Sequence, residues 1–221
     1  MSQNDSFKIE KPQSLEEKVY LHLKRLILSG TLPSGVITTE TDLAERLGVS
    51  RTPVRKTLVR LEQEGFITNI QPKGYRVVEI SSEDIRDIYE LREILECHMV
   101  RETAKQLTSE DLAAMESAVQ SADQCLENRD YLGYVEHSRA FHHVLDRKHG
   151  NKWISGVFAN LDEHVYRFWV FHLKSGRATA ILSHPNPHHL ILEAIRAGDI
   201  ESAVARTREH MRLYLGLVSG D

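Results

Sequence analysis

A helix with one apolar face and a strongly basic start constrains the fold more than any other feature of this chain. It lies in the stretch GVSRTPVRKTLVRLEQEGF, residues 48–66. Its apolar side chains recur at helical spacing, at Val54, Leu58 and Leu61. Ser50 suits the N-cap, and Pro53 falls in the first turn, where its missing N–H costs nothing. The stretch therefore predicts a helix that stops at Gly65.

The start of this helix carries positive charge that the local sequence leaves without acidic partners. The basic side chains are Arg51, Arg55, Lys56 and Arg60. A helix N-terminus also offers free backbone N–H groups, and an arginine can bind O6 and N7 of guanine through two donors. A recognition helix for DNA explains this combination, whereas a solvated basic face is the alternative interpretation.

The flanking elements favour the first interpretation. The predicted elements are a helix at 15–29, a turn and a short extended segment at 30–38, a helix at 40–47, and a hairpin at 66–80. Helix, helix, short turn, helix and hairpin is the order of a winged helix-turn-helix. We therefore predict a DNA-binding domain at 14–79, preceded by a disordered lead at 1–13.

The residues expected to contact DNA follow from this placement, since a recognition helix enters the major groove by its N-terminal end. They are Ser50, Arg51, Thr52, Arg55 and Lys56 on the helix, with Lys73 and Gly74 in the hairpin. The charge distribution agrees: residues 1–78 hold 12 basic and 9 acidic side chains, against 16 and 23 in the remainder. Uneven surface charge without a function is the alternative.

The second half, 80–221, predicts an all-α bundle of six or seven helices. The predicted helices are 81–108, 109–128 with Ser109 as its cap, 130–148, 150–173, 188–199 and 200–218. Glycine and two prolines interrupt the pattern at 174–187. The fold class is thus mainly α, with a winged helix-turn-helix followed by a helix bundle.

Composition excludes several locations. The chain has no apolar run near 18 residues, so no membrane span is expected. The polar start of the sequence lacks an apolar signal core, which predicts a cytoplasmic protein. The two cysteines lack metal-ligand spacing and are interpreted as reduced structural thiols.

Histidines are concentrated in the second half, where 10 of the 12 lie between positions 137 and 210. Neutral imidazole is a common metal ligand, and a bundle builds such sites from facing helices. His142, His188 and His210 fall on three different predicted helices and are the candidate ligands. Ordinary core or surface histidines are the alternative.

The first half resembles the GntR family of bacterial transcription regulators. The resemblance covers LILSGTLPSGVITTETDLAERLGVSRTPVRKTLVRLEQEGFITNIQPKGYRVVEIS, and residues 47–66 are its most specific part. The family usually has Arg-Glu-Ala-Leu where this chain has Arg55-Lys56-Thr57-Leu58. The change adds positive charge, so it agrees with DNA binding and leaves the operator sequence open.

The second half resembles the all-helical FCD effector domain of the FadR-type branch of that family. The motifs are LREILE (91–96), SRAFHHVL (138–145), HHLILEAIRAGD (188–199) and AVARTREHM (203–211). The resemblance implies one divalent metal ion, such as Zn, Ni or Mn, held by an aspartate and three histidines. The histidines correspond to His142, His188 and His210, and the aspartate position holds Ser138. Because serine is a poor ligand, the predicted site has three histidines and an open position for water or an effector carboxylate.

The resemblance implies an effector-responsive regulator, which we interpret as a repressor, whose ligand is a small carboxylate or a fatty-acyl molecule; we expect a small carboxylate that releases or retunes it. Because one recognition helix reads few base pairs, we expect it to bind a double-stranded operator as a homodimer. Arg92 and Arg139 are the candidate effector-binding residues, and ordinary interhelical ion pairs are the alternative for both. A metal-dependent hydrolase is the alternative function, because an open metal can activate water. No general base at clear spacing, nucleophile elbow or phosphate loop supports it, and we predict that the chain is not an enzyme.

Overall fold

The computed structural model describes residues 14–174 and 186–218, with side chains up to Leu215. The predicted lead at 1–13, and all but the ends of the predicted interruption at 174–187, lie outside the described residues. The chain divides into two units between Glu79 and Ile80. Each unit is described by itself.

The first unit has three helices and a small sheet in the order that the sequence predicts. Its elements are α1 (Leu15–Leu28), β1 (Ile37–Thr38), α2 (Glu40–Leu47), α3 (Arg51–Gln63), β2 (Ile67–Asn69) and β3 (Tyr75–Val77). The antiparallel sheet has the order β1-β3-β2, with Ile37 paired to Arg76 and Ile67 to Val77. The short extended segment before α2 therefore joins the predicted hairpin as a third strand.

The apolar face of α3 forms the centre of this unit. Val54, Leu58 and Leu61 are at most 1% exposed and pack against Leu23 of α1 and Leu43 of α2. Each large aliphatic side chain buried in this way contributes about 1.5–3 kcal/mol. This burial fixes which face of α3 remains outside, and hence which side chains are available to a ligand.

Two glycines are required by the turns beside α3. Gly48 ends α2 in the left-handed conformation, with φ of 65°, and starts the turn into α3. Gly74, with φ of 106°, lies so close to the Thr38 carbonyl that a Cβ atom would collide with it. The hairpin therefore needs glycine at 74 for its own packing, whether or not this residue contacts DNA.

The second unit is a bundle of six α-helices within the described residues, and the mainly α prediction is confirmed. The helices are α4 (Ser82–Thr103), α5 (Ser109–Glu127), α6 (Tyr131–His149), α7 (Lys152–Lys174), α8 (His188–Arg196) and α9 (Ile200–Val218). No helix in 14–174 or 186–218 is long and apolar enough to span a membrane.

Several predicted boundaries in this bundle are wrong, among them the end of the helix expected at 188–199, which stops at Arg196. The helix expected at 81–108 ends at Thr103 and continues only as a 3₁₀ turn, Ala104–Gln106. The cap of α5 is Thr108 rather than Ser109, because the Thr108 hydroxyl accepts from the Asp111 N–H while the Asp111 carboxylate accepts from the Thr108 N–H. This reciprocal capping box makes Ser109 the first helical residue instead of the cap.

Candidate nucleic-acid interface and ligand site

The basic side chains of α3 are paired, which corrects the expectation that they lack acidic partners. Arg51 and Arg55 both reach Glu40, at the start of α2. Lys56 and Arg60 reach the acidic first turn of α1, and Arg60 also contacts Glu64. The partners are at least 11 residues away except for Glu64, so the local sequence of the helix does not reveal them.

Glu40 holds two arginines with one carboxylate. Arg55 donates from Nε to both oxygens, at 3.0 and 3.1 Å, and from Nη2 to Oε2 at 3.0 Å. Arg51 donates from Nη2 to Oε2 at 3.1 Å. The hydrogen bonds from Arg55, followed by those from Arg51, hold the pKa of Glu40 below its ordinary value. Glu40 therefore stays ionised and keeps both guanidinium groups at the N-terminal end of α3.

The other two cations of α3 lie on the side that faces α1. Lys56 Nζ is 2.9 Å from Glu16, and Arg60 Nη1 is 2.9 Å from Glu17. The Arg60 guanidinium also stacks on the Tyr20 ring, 3.3 Å from its centroid. Lys56 remains 61% exposed, so it can exchange its partner for a phosphate at little cost.

The first turn of α3 remains open to a ligand. Ser50 occupies the N-cap position, as predicted, but its hydroxyl makes no capping hydrogen bond and its side chain is exposed. Thr52, the second residue of α3, is exposed as well. An uncapped, solvent-facing helix N-terminus with hydroxyl groups beside it can accept the phosphate groups of a nucleic acid.

The hairpin of the same unit carries the other predicted DNA-contacting residues. Lys73 is exposed in the turn between β2 and β3, and Arg76 is exposed on β3. Glu62 of α3 accepts from the Asn69 N–H at 3.0 Å, which ties the hairpin to the recognition helix.

Two residues of this unit were not identified from the sequence. They are Glu40, which binds the two arginines, and Val59, which is apolar but 43% exposed on α3.

In the second unit, α6, α8 and α9 bring the three predicted histidines together. His142, His188 and His210 are 1–4% exposed, and their ligand atoms lie within 4.8 Å of one another. The Nε2 atom of His142 is 3.0 Å from that of His188 and 3.1 Å from that of His210. Nitrogen ligands around 2.0–2.1 Å from one metal ion are separated by roughly 2.9–3.4 Å, so these two separations match those around a divalent ion.

Two further side chains orient these rings, and sequence reasoning identified neither. Glu96, fully buried on α4, places Oε2 2.5 Å from His142 Nδ1, within ion-pair distance but outside good hydrogen-bond angles. Asn186 Oδ1 lies 2.6 Å from His188 Nδ1, and its amide donates to Asp123. Partners on Nδ1 leave Nε2 pointing at the common centre, as in most histidine metal sites.

Burial keeps two of the histidines neutral. Desolvation, followed by the charge of His142, lowers the pKa of His188 well below its ordinary value. Desolvation and then the charge of His188 lower the pKa of His210 in the same way. A neutral imidazole is the form that binds a metal, so both rings are ready as ligands at neutral pH.

A cavity adjoins the histidines. Its free volume of about 40 Å³ has room for roughly three water molecules. Most of its wall is aromatic or apolar, including Tyr89, Tyr134, Val165, Trp169, Met211 and Tyr214. Ser138 lines it together with His142 and His210, and its hydroxyl lies beside the Tyr134 phenol without a hydrogen bond of good geometry. The residue at the usual aspartate position therefore does face the site.

The two predicted effector-binding arginines also line this cavity, and both are held by carboxylates. Arg92 Nη2 is 2.7 Å from Glu96 and 3.7 Å from Asp162, and Arg139 Nη2 is 2.7 Å from Asp162. Burial raises the pKa of Asp162, but His143, Arg92 and Arg139 outweigh it and the pKa ends below its ordinary value. Both arginines are thus placed for an anion while they neutralise buried carboxylates.

Comparisons with known proteins agree with both units. The model described as "Bacterial regulatory proteins, gntR family" matches residues 15–77, and the FCD domain matches 87–213. The transcriptional regulator YdhC of Bacillus subtilis (strain 168) is 24% identical over 208 residues, which cover 93% of this chain and 92% of that protein. The transcriptional repressor RspR of Escherichia coli (strain K12) is 26% identical over 133 residues, covering 60% and 58%.

The transcriptional regulator McbR of Escherichia coli (strain K12) is similar in sequence and in fold. It is 27% identical over 195 residues, which cover 85% of each protein. The solved structure of E. coli McbR/YncC matches with a TM-score of 0.78 at 24% identity, covering 93% of this chain and 97% of that one. Members of this family are DNA-binding regulators rather than enzymes, which confirms the prediction on that point. From the match of both its units, the chain belongs to the gntR family of bacterial regulatory proteins, in the branch that carries an FCD domain.

Proposed function

We propose that this regulator is a repressor that binds a palindromic operator as a homodimer and leaves it when a small carboxylate enters the histidine cavity. The observation that carries the proposal is the pairing of an exposed, basic recognition helix in one unit with a buried histidine cluster beside two arginines in the other. The first feature suits double-stranded DNA, and the second suits a small anion.

The short reach of a single recognition helix supports the homodimer. One recognition helix reads few base pairs, and a two-fold partner supplies a second half-site. The helix bundle is the expected dimer platform. Sedimentation at micromolar concentration, with and without DNA, should give the mass of a dimer, and a monomer under both conditions would contradict the proposal.

Repression is supported by the name of the similar protein RspR, a transcriptional repressor in Escherichia coli (strain K12). A protein bound at its operator blocks transcription most simply, and loss of binding on addition of an effector then restores it. We expect this to take place in the cytoplasm, where operator DNA is found.

The three histidines would hold one divalent ion, Zn, Ni or Mn, and Ser138 leaves a position that no carboxylate among the described residues fills. The ion would supply positive charge for an effector carboxylate. Arg92 and Arg139 would bind the same carboxylate in competition with Asp162, which both contact. The cavity of about 40 Å³ favours an effector with only a few heavy atoms.

The experiment that tests this function starts from DNA. Duplexes selected by the protein from a randomised pool should contain an inverted repeat and should bind far more tightly than an unrelated duplex. A panel of small carboxylates is then titrated into the selected complex, with the metal-loaded and the chelator-treated protein side by side. A carboxylate that releases only the loaded protein supports the proposal, whereas selection of no common duplex refutes it.

A further inference from the structure

We propose that Glu40 is a specificity-determining residue of the recognition surface, which holds Arg51 and Arg55 in the paired arrangement that reads the operator. The inference rests on the proposed role of these two arginines in base contact. Glu40 itself is an acidic side chain on a different helix, α2, and nothing in the expected DNA contacts requires an acid.

The contact geometry is that of a clamp rather than of a single surface ion pair. One carboxylate accepts three hydrogen bonds from Arg55 and one from Arg51, all between 3.0 and 3.1 Å. The Glu40 side chain is 17% exposed, whereas those of Arg51 and Arg55 are 59% and 63% exposed. The Glu40 carboxylate is thus mostly buried, and the two guanidinium groups that it binds face solvent.

The remaining donors are the ones that a base can use. An arginine has five N–H donors in a rigid plane. Arg55 donates to Glu40 from Nε and from one N–H of Nη2, so its Nη1 group and the outer N–H of Nη2 remain available. Arg51 spends one N–H of Nη2 and keeps the rest. Recognition of guanine needs two parallel donors, for O6 and N7, and each guanidinium still has them.

Ordering the side chains of Arg51 and Arg55 before DNA binds favours discrimination between DNA sequences more than it favours overall affinity. Two guanidinium groups this close repel each other, and each free side chain would lose rotamer freedom on docking. Glu40 offsets the repulsion and orders both side chains before DNA arrives. Because it also removes one positive charge from the surface, it weakens the attraction for any phosphate backbone while strengthening the contrast between sequences.

A purely structural role for Glu40 does not account for this arrangement. Helices α2 and α3 are already joined by buried apolar side chains, among them Leu43, Val54 and Leu58. Exposed arginine–carboxylate pairs add little to the stability of a fold. The position of the acid is better explained by what it does to the two arginines than by what it does for the unit.

The test compares Glu40→Gln with Asp42→Asn in the full-length protein. Both changes remove one negative charge from the first turn of α2, but Asp42 contacts Thr38 and Arg46 and not the arginines of α3. Dissociation constants are measured at fixed salt for a duplex selected by the wild-type protein, for single-base variants of it, and for an unrelated duplex. Circular dichroism melts confirm that each variant is folded.

Glu40→Gln should lower the ratio of specific to unrelated affinity by about tenfold or more, without weakening binding to the unrelated duplex. Asp42→Asn should leave the ratio at the wild-type value. In a background that carries Arg51→Ala and Arg55→Ala, Glu40→Gln should change the ratio no further, because the residue acts through them.

Three results overturn the inference in distinguishable ways. If the wild-type protein discriminates between duplexes and Glu40→Gln does so equally well, Glu40 has no part in specificity. The same holds if its effect persists unchanged in the double-alanine background. If the wild-type protein itself shows no preference among duplexes, the proposed base contacts of Arg51 and Arg55 fail as well, and the inference falls with them.

Discussion

His142 and His210 face each other from α6 and α9 with their Nε2 atoms 3.1 Å apart and their rings nearly parallel, at an interplanar angle of 10°. Two neutral imidazoles at this distance can share only one proton, since each has a single N–H donor. A third ring, that of His188, approaches the same point. The arrangement is one that a bound cation would stabilise.

We expect His142→Ala, His188→Ala and His210→Ala each to abolish binding of the same divalent ion, because three ligands around one centre cannot be removed independently. Metal content after loading with Zn, Ni or Mn measures this. His189→Ala is the matched control, since His189 neighbours His188 but pairs with Asp123 at the surface. Wild-type protein that takes up none of the three ions would show that the histidines only line the cavity.

The pH at which the ion is lost should lie below the ordinary range of histidine. Burial lowers the pKa of His188 and of His210, so both stay neutral below the usual value of about 6.5. We therefore expect metal content to be unchanged between pH 7 and pH 6 and to fall only in more acidic buffer. Loss that follows the titration of free imidazole would contradict the burial argument.

Ser138→Asp should tighten metal binding and weaken the response to the effector. Ser138 lines the cavity with His142 and His210, so a carboxylate introduced there competes with the effector for the open position on the ion. Zinc affinity in a chelator competition and the effector concentration that releases DNA are the two measurements. Ser138→Asn, which adds a similar volume without charge, should tighten binding less.

On the DNA side, Arg51→Ala and Arg55→Ala should each weaken binding to the selected duplex roughly tenfold to a hundredfold, as expected for a lost base contact. Lys73→Ala should instead weaken binding to all duplexes alike and reduce the salt dependence, since we expect Lys73 to contact the phosphate backbone. Fluorescence anisotropy at several salt concentrations separates the two patterns. Wild-type affinity in both arginine variants would show that α3 does not read the operator.

Asp162→Asn should destabilise the helix bundle by about 3–5 kcal/mol at neutral pH, because it removes the buried carboxylate that pairs with Arg139 and lies near Arg92, which keeps Glu96. Both tryptophans lie in this unit, so their fluorescence reports its unfolding in urea. Glu116→Gln, which removes a surface pair with Arg196, should have no measurable effect.

The same variant gives a pH test. The pKa of Asp162 is depressed in the folded protein, so its contribution is complete above its unfolded value near 3.8 and is lost as the pH falls through the folded value. The difference in unfolding free energy between wild type and Asp162→Asn should therefore be constant from pH 7 to about pH 4 and shrink below it. A difference that shrinks already above pH 5 would assign the effect to another group.

Short-range sequence patterns were sufficient to predict much of the fold of this protein. The apolar spacing of Val54, Leu58 and Leu61 determines which face of α3 is buried, because a helix has a fixed period and apolar side chains leave water. The order of helices, turn and hairpin follows from the same kind of short-range signal. The choice of His142, His188 and His210, which lie together in the fold, needed the resemblance to a family as well.

Tertiary structure alone decided which charges meet. Glu40 is 15 residues from Arg55, and Asn186 is separated by 63 residues from the Asp123 carboxylate that orients it. The end of α4 at Thr103 and the cap of α5 at Thr108 were also not predicted from the apolar pattern. Periodicity determines the face on which a side chain lies, but its partner on another helix depends on how whole helices pack. A buried carboxylate such as Asp162 is stable only where that packing supplies cations, here Arg92 and Arg139.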